Sequence, residues 1–241
     1  MPAIDIDLSF EPSTAPRIKL LHVGDESNPV LVIDDFFTNP EKLVKLAALA
    51  APFDAVSTDL YPGARHNLDT HSMGPCTASI ESLARDTFGF AVQRNAVPTF
   101  AAFSVVSRAP ELSLPIQRIP HFDTSNSDQL AMVVYLFKRD FGGTSFYRHR
   151  ATKFESISPS RAQSYTRTLE REARTLGVPG HQYIDGNTEL FERTATIDAK
   201  FNRCVIYKSN LLHAGNIAHC LDPSPKTGRL TTNAFISFAK T

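Results

Sequence analysis

The residues of this chain best suited to chemistry are two histidines and an aspartate. His121 and Asp123 lie in Pro120-His121-Phe122-Asp123-Thr124, and His213 lies in Leu211-Leu212-His213-Ala214-Gly215-Asn216. In an extended strand the side chains at i and i+2 leave the same face, so His121 and Asp123 point together at one ion while Phe122 turns away. A third ligand from a distant strand closes one face. Two imidazoles and one carboxylate leave the remaining coordination positions open, the facial arrangement that suits Fe(II) and O2. A His-x-Asp alone is a common tripeptide, and its weight here comes from residues farther along the chain.

Tyr135-Leu136 stands on the next strand, and Arg229-x-Thr231 comes sixteen residues after His213. That order is the one a 2-oxoglutarate-dependent Fe(II) enzyme needs. A 2-oxo dicarboxylate chelates iron through its oxo-acid end, and its far carboxylate needs a fixed partner. Arginine is planar, always charged and bidentate toward carboxylates, and such a pair is worth roughly 1.5–3 kcal/mol. Arg229 and Thr231 share a strand face, so guanidinium and hydroxyl can converge on that carboxylate. Tyr135 is either a third donor or a core residue with its hydroxyl on a backbone carbonyl. Tyr147, Arg148 and His149 are candidate substrate contacts at the site entrance, with a solvated charge run as the alternative. His66 and His71 sit on a polar loop and read as surface residues or entrance lining, whereas His181 and His219 read as structural.

The elements that must position these residues are mostly short strands. Residues 1–29 mix short apolar pairs with Pro, Ser, Asp and Gly, an arm carrying one or two edge strands. The β-branched run at 29–37 is a strand, and Thr38 or Asn39 then caps a helix with Pro40 at its first turn. Residues 52–78 read as irregular, and 80–88 as a short helix ended near Gly89. Strands come next at 99–107 and 130–137, the latter apolar enough for burial on both faces. Gly142-Gly143 then predicts a hairpin turn into a strand at 144–147. Residues 148–200 interrupt the pattern with a helix from Ser158 or Ser160 toward Gly177. Strands resume at 204–208, 211–213 and 229–238. Many short strands with helices mostly outside them predict an α+β fold built on an antiparallel barrel or jelly roll.

Composition narrows the class. The 241 residues suit one domain, 1–241, and 42% hydrophobic content suffices for a large core. Lys plus Arg and Asp plus Glu number 25 each, and no basic block tracks a phosphate backbone, so nucleic acid is not an expected partner. Cys76, Cys204 and Cys220 are odd in number and far apart, which argues against a disulfide framework or a zinc knuckle. The N-terminus is acidic where an export signal is basic, and no apolar run reaches the length of a membrane span. A cytoplasmic protein without membrane contact is the expectation; oligomeric state is not legible.

In these stretches the sequence resembles the double-stranded β-helix 2-oxoglutarate and Fe(II)-dependent oxygenases, and within them the prolyl-hydroxylase-like branch. It is also similar to a compact bacterial family of this type in Tyr135-Leu136-Phe137, Gly142-Gly143-Thr144-Ser145-Phe146-Tyr147, Leu212-His213-Ala214-Gly215 and Gly228-Arg229-Leu230-Thr231. The resemblance covers roughly residues 30–240 and is strongest over 118–238. It implies a cupin-like jelly roll with supporting helices, Fe(II) held by His121, Asp123 and His213, and 2-oxoglutarate as co-substrate held by Arg229 with Tyr135. It also implies a dioxygenase that consumes O2 and converts 2-oxoglutarate to succinate while oxidising a substrate. Halogenating relatives replace the metal-binding carboxylate by a small residue, so Asp123 favours hydroxylation or another oxidation. The acidic residue often found after the Gly-Gly pair is absent, and residues 148–200 fall where the superfamily varies most. Segments 60–75 and 148–200 are the expected substrate lid.

The leading expectation is oxidation of a small molecule such as an amino acid or natural-product intermediate. A prolyl-hydroxylase-like enzyme acting on peptide or protein is the alternative within the class. A cupin-like protein that binds metal or ligand without turnover is the alternative outside it. Zinc hydrolysis ranks last, since no His-Glu-x-x-His is present.

Overall fold

The computed structural model describes residues 10–54, 61–177, 180–218 and 221–240. The first nine residues of the expected arm, His219 and Cys220 lie outside them. Ten strands and three α-helices are found among the described residues, in the order β1 (Arg17–Val23), β2 (Asn28–Asp34), α1 (Pro40–Leu49), β3 (Gly63–Asn67), α2 (Gly74–Phe88), β4 (Arg94–Val106), β5 (Gln129–Tyr135), β6 (Thr144–His149), α3 (Pro159–Thr175), β7 (Phe191–Ile197), β8 (Cys204–Lys208), β9 (His213–Gly215) and β10 (Leu230–Lys240). They form an antiparallel seven-stranded sheet ordered β1-β2-β8-β5-β10-β4-β3 and a three-stranded sheet ordered β7-β6-β9.

Side-chain alternation sorts the strands into layers. On β5 and β8, Leu130, Met132, Val134, Cys204 and Ile206 face one way and pack with α1 and α2 through Leu43, Ala47, Ile80, Ala84 and Phe88. The intervening Ala131, Tyr135, Val205 and Tyr207 face the small sheet and meet Phe146 and Ile197. The outer face of the small sheet, through Tyr147 and Phe191, is covered by Tyr165 of α3. Both faces of β5 are therefore covered, as its unbroken apolar run requires. Pro40 opens α1, and Gly89, in the left-handed conformation at φ 73°, ends α2.

The expected Gly142-Gly143 hairpin is not formed. β5 belongs to the large sheet and β6 to the small one, so the segment between them crosses from one layer to the other. The glycines serve close approach rather than a two-residue turn. A Cβ on Gly142 would stand 2.0 Å from the Asn216 carbonyl oxygen, and one on Gly143 would stand 1.9 Å from that of Ile197. Gly142 also sits at φ 76°.

Three further expectations change in extent. α2 begins at Gly74, earlier than the apolar pattern from 80 suggests, because Pro75 suits a first helical turn. β4 begins at Arg94, since β10 continues to pair with it beyond a bulge at Phe235/Ile236. Residues 63–67, irregular by sequence, form edge strand β3. Within 148–200, α3 lies on the outer face of the small sheet and β7 pairs with β6, so most of that segment is a structural layer.

Candidate metal centre

His121 and His213 meet as a directly opposed antiparallel pair. Each backbone N–H donates to the other's carbonyl at 2.9 Å, which brings the rings to 4.5 Å between centroids. The residue at i+2, Asp123, donates its N–H to the Ser209 carbonyl at 2.8 Å, so its carboxylate returns to the same face as His121. His213 shares the inner face of the small sheet with Phe146, its partner on β6. The structure thus assembles in space the three residues picked out by spacing, and their ligand atoms all lie within 4.8 Å of one another. His121 is paired only at that single bridge and does not stand in a long strand.

The donor set fits a divalent metal. His213 Nδ1 lies 2.9 Å from the Leu211 carbonyl, which can only accept, so Nδ1 carries the proton and Nε2 keeps its lone pair. That Nε2 lies 3.9 Å from Asp123 Oδ2, and His121 Nε2 lies 3.9 Å from Asp123 Oδ1. The side chains of His121, Asp123 and His213 are 26%, 17% and 8% exposed. Burial, followed by the neighbouring His213 ring, lowers the pKa of His121 to about 4. Burial also lowers that of His213 to about 4, so both imidazoles are neutral ligands at neutral pH. Desolvation pushes the Asp123 carboxyl up, and its Oδ2 is buried without a hydrogen-bond partner. A buried carboxylate oxygen without a donor is what a metal ligand looks like before its ion is considered.

Across the gap, the large sheet presents the residues expected to hold a dicarboxylate. Arg229, immediately before β10, and Thr231 and Asn233 on it line the same small cavity, about 90 Å³, as the triad. Thr231 is the cross-strand partner of Tyr135. The Tyr135 backbone is in turn fixed by Asn202 N–H to its carbonyl at 2.8 Å and by its own N–H to Arg203 O at 3.0 Å. The Tyr135 hydroxyl is 2.7 Å from the Thr144 hydroxyl, and that of Thr231 donates to Asn233 Oδ1 at 2.6 Å. The Tyr135 hydroxyl therefore meets a side chain across the gap, not the backbone carbonyl weighed as its alternative.

The buried Arg229 guanidinium donates from Nε to Phe141 O at 3.1 Å, and from Nη2 to Gly142 O at 3.2 Å and Gly143 O at 3.0 Å. These are the carbonyls of the segment that crosses between sheets. The guanidinium carbon also lies 5.4 Å from the Phe137 ring centroid. The surface salt bridge weighed against a ligand role is not found among the described residues.

Tyr147, Arg148 and His149 do not line either cavity beside the triad, which corrects their expected place at the entrance. The strand alternates: Tyr147 and His149 turn to the outer face under α3, where His149 Nε2 is 2.7 Å from Glu172 Oε2. Arg148 lies on the other parity but is held by Glu155 at 2.6 Å and Asp25 at 2.7 Å. His71 is exposed beside Asp69, as expected, whereas His66 lies half-buried in strand β3 and stacks on Phe53 rather than standing on a loop.

Other residues stand in their place. Arg65 of β3 lines both cavities, with its guanidinium 4.7 Å from the Tyr61 ring and 5.4 Å from that of Phe100. Its positive charge acts on both His121 and Asp123. Thr144, Asn233 and Tyr207 complete the small cavity. Asn233 continues the Arg229/Thr231 parity and was discoverable by counting in twos. Arg65 was not, because Gly63-Ala64-Arg65-His66-Asn67 carries no apolar alternation. A second cavity of about 310 Å³ opens beside the triad and is bounded by Tyr61, Arg118, Tyr183 and Ile184. Of the described residues in 148–200, Tyr183 and Ile184 are the ones that line it.

Two antiparallel layers thus frame a two-histidine, one-carboxylate site, gathered at His213 of the smaller sheet and facing polar groups of the larger. The chain belongs to the family described as a family of unknown function, DUF6445, which matches residues 14–236. No curated protein matches it. Among solved structures it is similar to HygX from Streptomyces hygroscopicus with iron bound, at 11% identity and TM-score 0.48, covering 89% of this chain and 84% of that one. HygX has also been solved with nickel and 2-oxoglutarate. Another is the non-heme alpha ketoglutarate dependent epimerase SnoN from nogalamycin biosynthesis, at 13% identity and TM-score 0.47, covering 88% and 78%. A third is the viral collagen prolyl hydroxylase of Paramecium Bursaria Chlorella virus-1, at 9% identity and TM-score 0.46, covering 88% and 96%. No helix of the described residues is long and apolar enough to cross a membrane.

Proposed function

We propose that this chain is a single-domain Fe(II) and 2-oxoglutarate-dependent dioxygenase of double-stranded β-helix fold that oxidises a small molecule. The observation that carries the reading is the convergence of neutral His121 and His213 with the donor-less Asp123 Oδ2, on a cavity whose opposite wall carries Arg229. His121, Asp123 and His213 would hold Fe(II), which when bound supplies the open positions at which a 2-oxo acid chelates and O2 is reduced.

The remaining chemistry belongs to the chain. Arg229 donates through Nε and Nη2 to the crossing segment, which leaves Nη1 for the distal carboxylate of 2-oxoglutarate. One proton of the Tyr135/Thr144 hydroxyl pair is free to join it, since only one of the two is used between them. Thr231 contributes as the support of Asn233. Its own proton is already engaged on Asn233, so the donation to the co-substrate expected of Thr231 is not made in this geometry. The apolar walls of Ala131, Val133 and Phe235 keep water from the charged end of the co-substrate. The neighbouring cavity of about 310 Å³ lies at the small end of the range for small-molecule sites, which supports a small molecule over a folded protein as substrate.

The test is anaerobic addition of Fe(II) and 2-oxoglutarate, with the metal-to-ligand charge-transfer absorption read first and aerobic succinate release second. Wild type is expected to show both and His213→Ala neither. If His213→Ala retained the absorption and the turnover, the ligand assignment would be wrong.

A further inference from the structure

Resting on the oxygenase reading, we propose that the substrate carries a carboxylate on an apolar body, and that Arg118 receives that carboxylate in the cavity beside the metal centre. Arg118 ends the short 3-10 turn Pro115–Arg118, just before His121, and lines the 310 Å³ cavity together with His121 and Asp123. It is 4% exposed. Its Nη1 donates to the Gly180 carbonyl at 2.9 Å and meets His181 Nδ1 at 3.1 Å, while its Nε is buried with no acceptor. Among the described residues no acidic side chain pairs with it. A guanidinium removed from water without an anion is strongly disfavoured, and here no protein carboxylate offsets that cost.

The chemical class of the missing anion is set by the geometry. With Nη1 engaged, the N–H groups of Arg118 left without an acceptor are those of Nε and Nη2, the edge whose geometry can donate to both oxygens of one carboxylate. Asp123 is the one carboxylate lining the cavity among the described residues, and it belongs to the metal centre. Arg229 also lines the cavity, but its anion is the co-substrate, which leaves Arg118 unanswered. The other walls, including Val106, Ile119, Ile184, Ile217 and Phe235, suit an apolar body. Arg65 also lines the cavity, with its guanidinium over the Tyr61 and Phe100 rings, and Arg229 is taken by the co-substrate, so Arg118 is the arginine assigned to a carboxylate of the substrate.

The experiment is anaerobic calorimetry on the Fe(II) and 2-oxoglutarate-loaded protein with matched probes, 3-phenylpropionate against 3-phenylpropionamide and hexanoate against hexanamide. Wild type is expected to bind each acid at least about 10-fold more tightly than its amide, and Arg118→Met to weaken the acids by about 10- to 100-fold without changing the amides. Arg118→Lys, which keeps charge but not the fork, falls between them. The affinity for 2-oxoglutarate itself should be unchanged in Arg118→Met and reduced in Arg229→Gln.

Equal binding of acid and amide by wild type, or no binding of either acid, overturns the proposal without recourse to any variant. So does an acid preference that survives in Arg118→Met, or loss of 2-oxoglutarate binding there, which would assign Arg118 to the co-substrate. If the charge-transfer absorption fails to form while the Arg118-dependent acid preference persists, the oxygenase reading falls and the carboxylate site stands.

Discussion

Replacing Arg229 by Gln separates two tasks that the structure gives to one side chain. In the folded protein its guanidinium donates three hydrogen bonds to consecutive carbonyls of the segment joining β5 to β6, the one to Gly143 buried and the other two partly so. Each such charge-assisted bond is worth roughly 1.5–3 kcal/mol. The three share one cation, so they do not add fully, and a total near 3–5 kcal/mol is expected, similar to removing one partner of a buried ion pair. Gln reaches less far and offers one NH2 group, so it restores at most one bond. For a protein of this size about 2–4 °C is lost per kcal/mol, which puts the fall in Tm at roughly 6–20 °C. Thermal melts of the metal-free protein with and without saturating 2-oxoglutarate, beside calorimetric titration of 2-oxoglutarate onto the Fe(II) form, read the two tasks apart. Arg229→Lys should keep part of the binding and less of the stability, because an ammonium cannot span three carbonyls in a plane. A Tm for Arg229→Gln within about 2 °C of wild type would refute the clamp, by the same arithmetic.

Tyr135→Phe removes one hydroxyl of the pair with Thr144, and should weaken 2-oxoglutarate by about 3- to 10-fold while costing stability about 1 kcal/mol, both measurable in those titrations and melts. Gly143→Ala should destabilise the fold even though alanine is small, because its Cβ would stand 1.9 Å from the Ile197 carbonyl oxygen; a urea midpoint equal to wild type would contradict this. Asp34 is held below the usual carboxylate range by its hydrogen bond with Arg203 at 2.6 Å, with Lys200 at 3.2 Å adding to it. A lowered folded-state pKa means that its contribution is complete above its ordinary value of 3.8 and disappears as pH falls through the lower folded value. Asp34→Asn should therefore be less stable than wild type in urea at neutral pH, and the two curves should converge at pH values well below that ordinary value.

The triad was legible because its chemistry depends on residue type at fixed offsets, and because backbone pairing carried the offsets into space. His121 and Asp123 share a face, and His213 arrives on a paired segment. The shared direction of Arg229 and Thr231 toward the small cavity was legible for the same reason, since strand parity fixes direction, whereas Tyr135 lines neither cavity. The hydrogen bonds they make were not, because these depend on which loop lies within reach. Local signals also located α1, α3 and most strands, through Asn39-Pro40, Ser158-Pro159 and the apolar runs.

Sheet membership was not legible. Gly142-Gly143 carries the signature of a tight turn whether the chain folds back beside β5 or passes to the other layer, and only the backbones of Ile197 and Asn216 decide between them. Tyr147, Arg148 and His149 resist placement because their strand carries polar groups on both faces, so parity cannot be oriented from sequence. Arg118 stands in a Pro-containing linker with no motif to single it out. Its significance lies in what does not surround it, which a sequence cannot display.

The division of the site between two sheets has a consequence for chain length. The metal ligands gather at His213 of the small sheet, to which His121 is bridged, whereas Tyr135 lies on the large sheet and Arg229 at the start of its strand β10. On the proposed reading, the span between the two ends of the co-substrate is set by the spacing of the layers, which contacts such as Phe146 against Tyr207, 5.1 Å between ring centroids, maintain beside His213. The sandwich then acts as a caliper. Thinning it at Phe146 would shift preference among 2-oxo diacids toward oxaloacetate, and thickening it would shift preference toward 2-oxoadipate, with every residue that touches metal or carboxylate left in place.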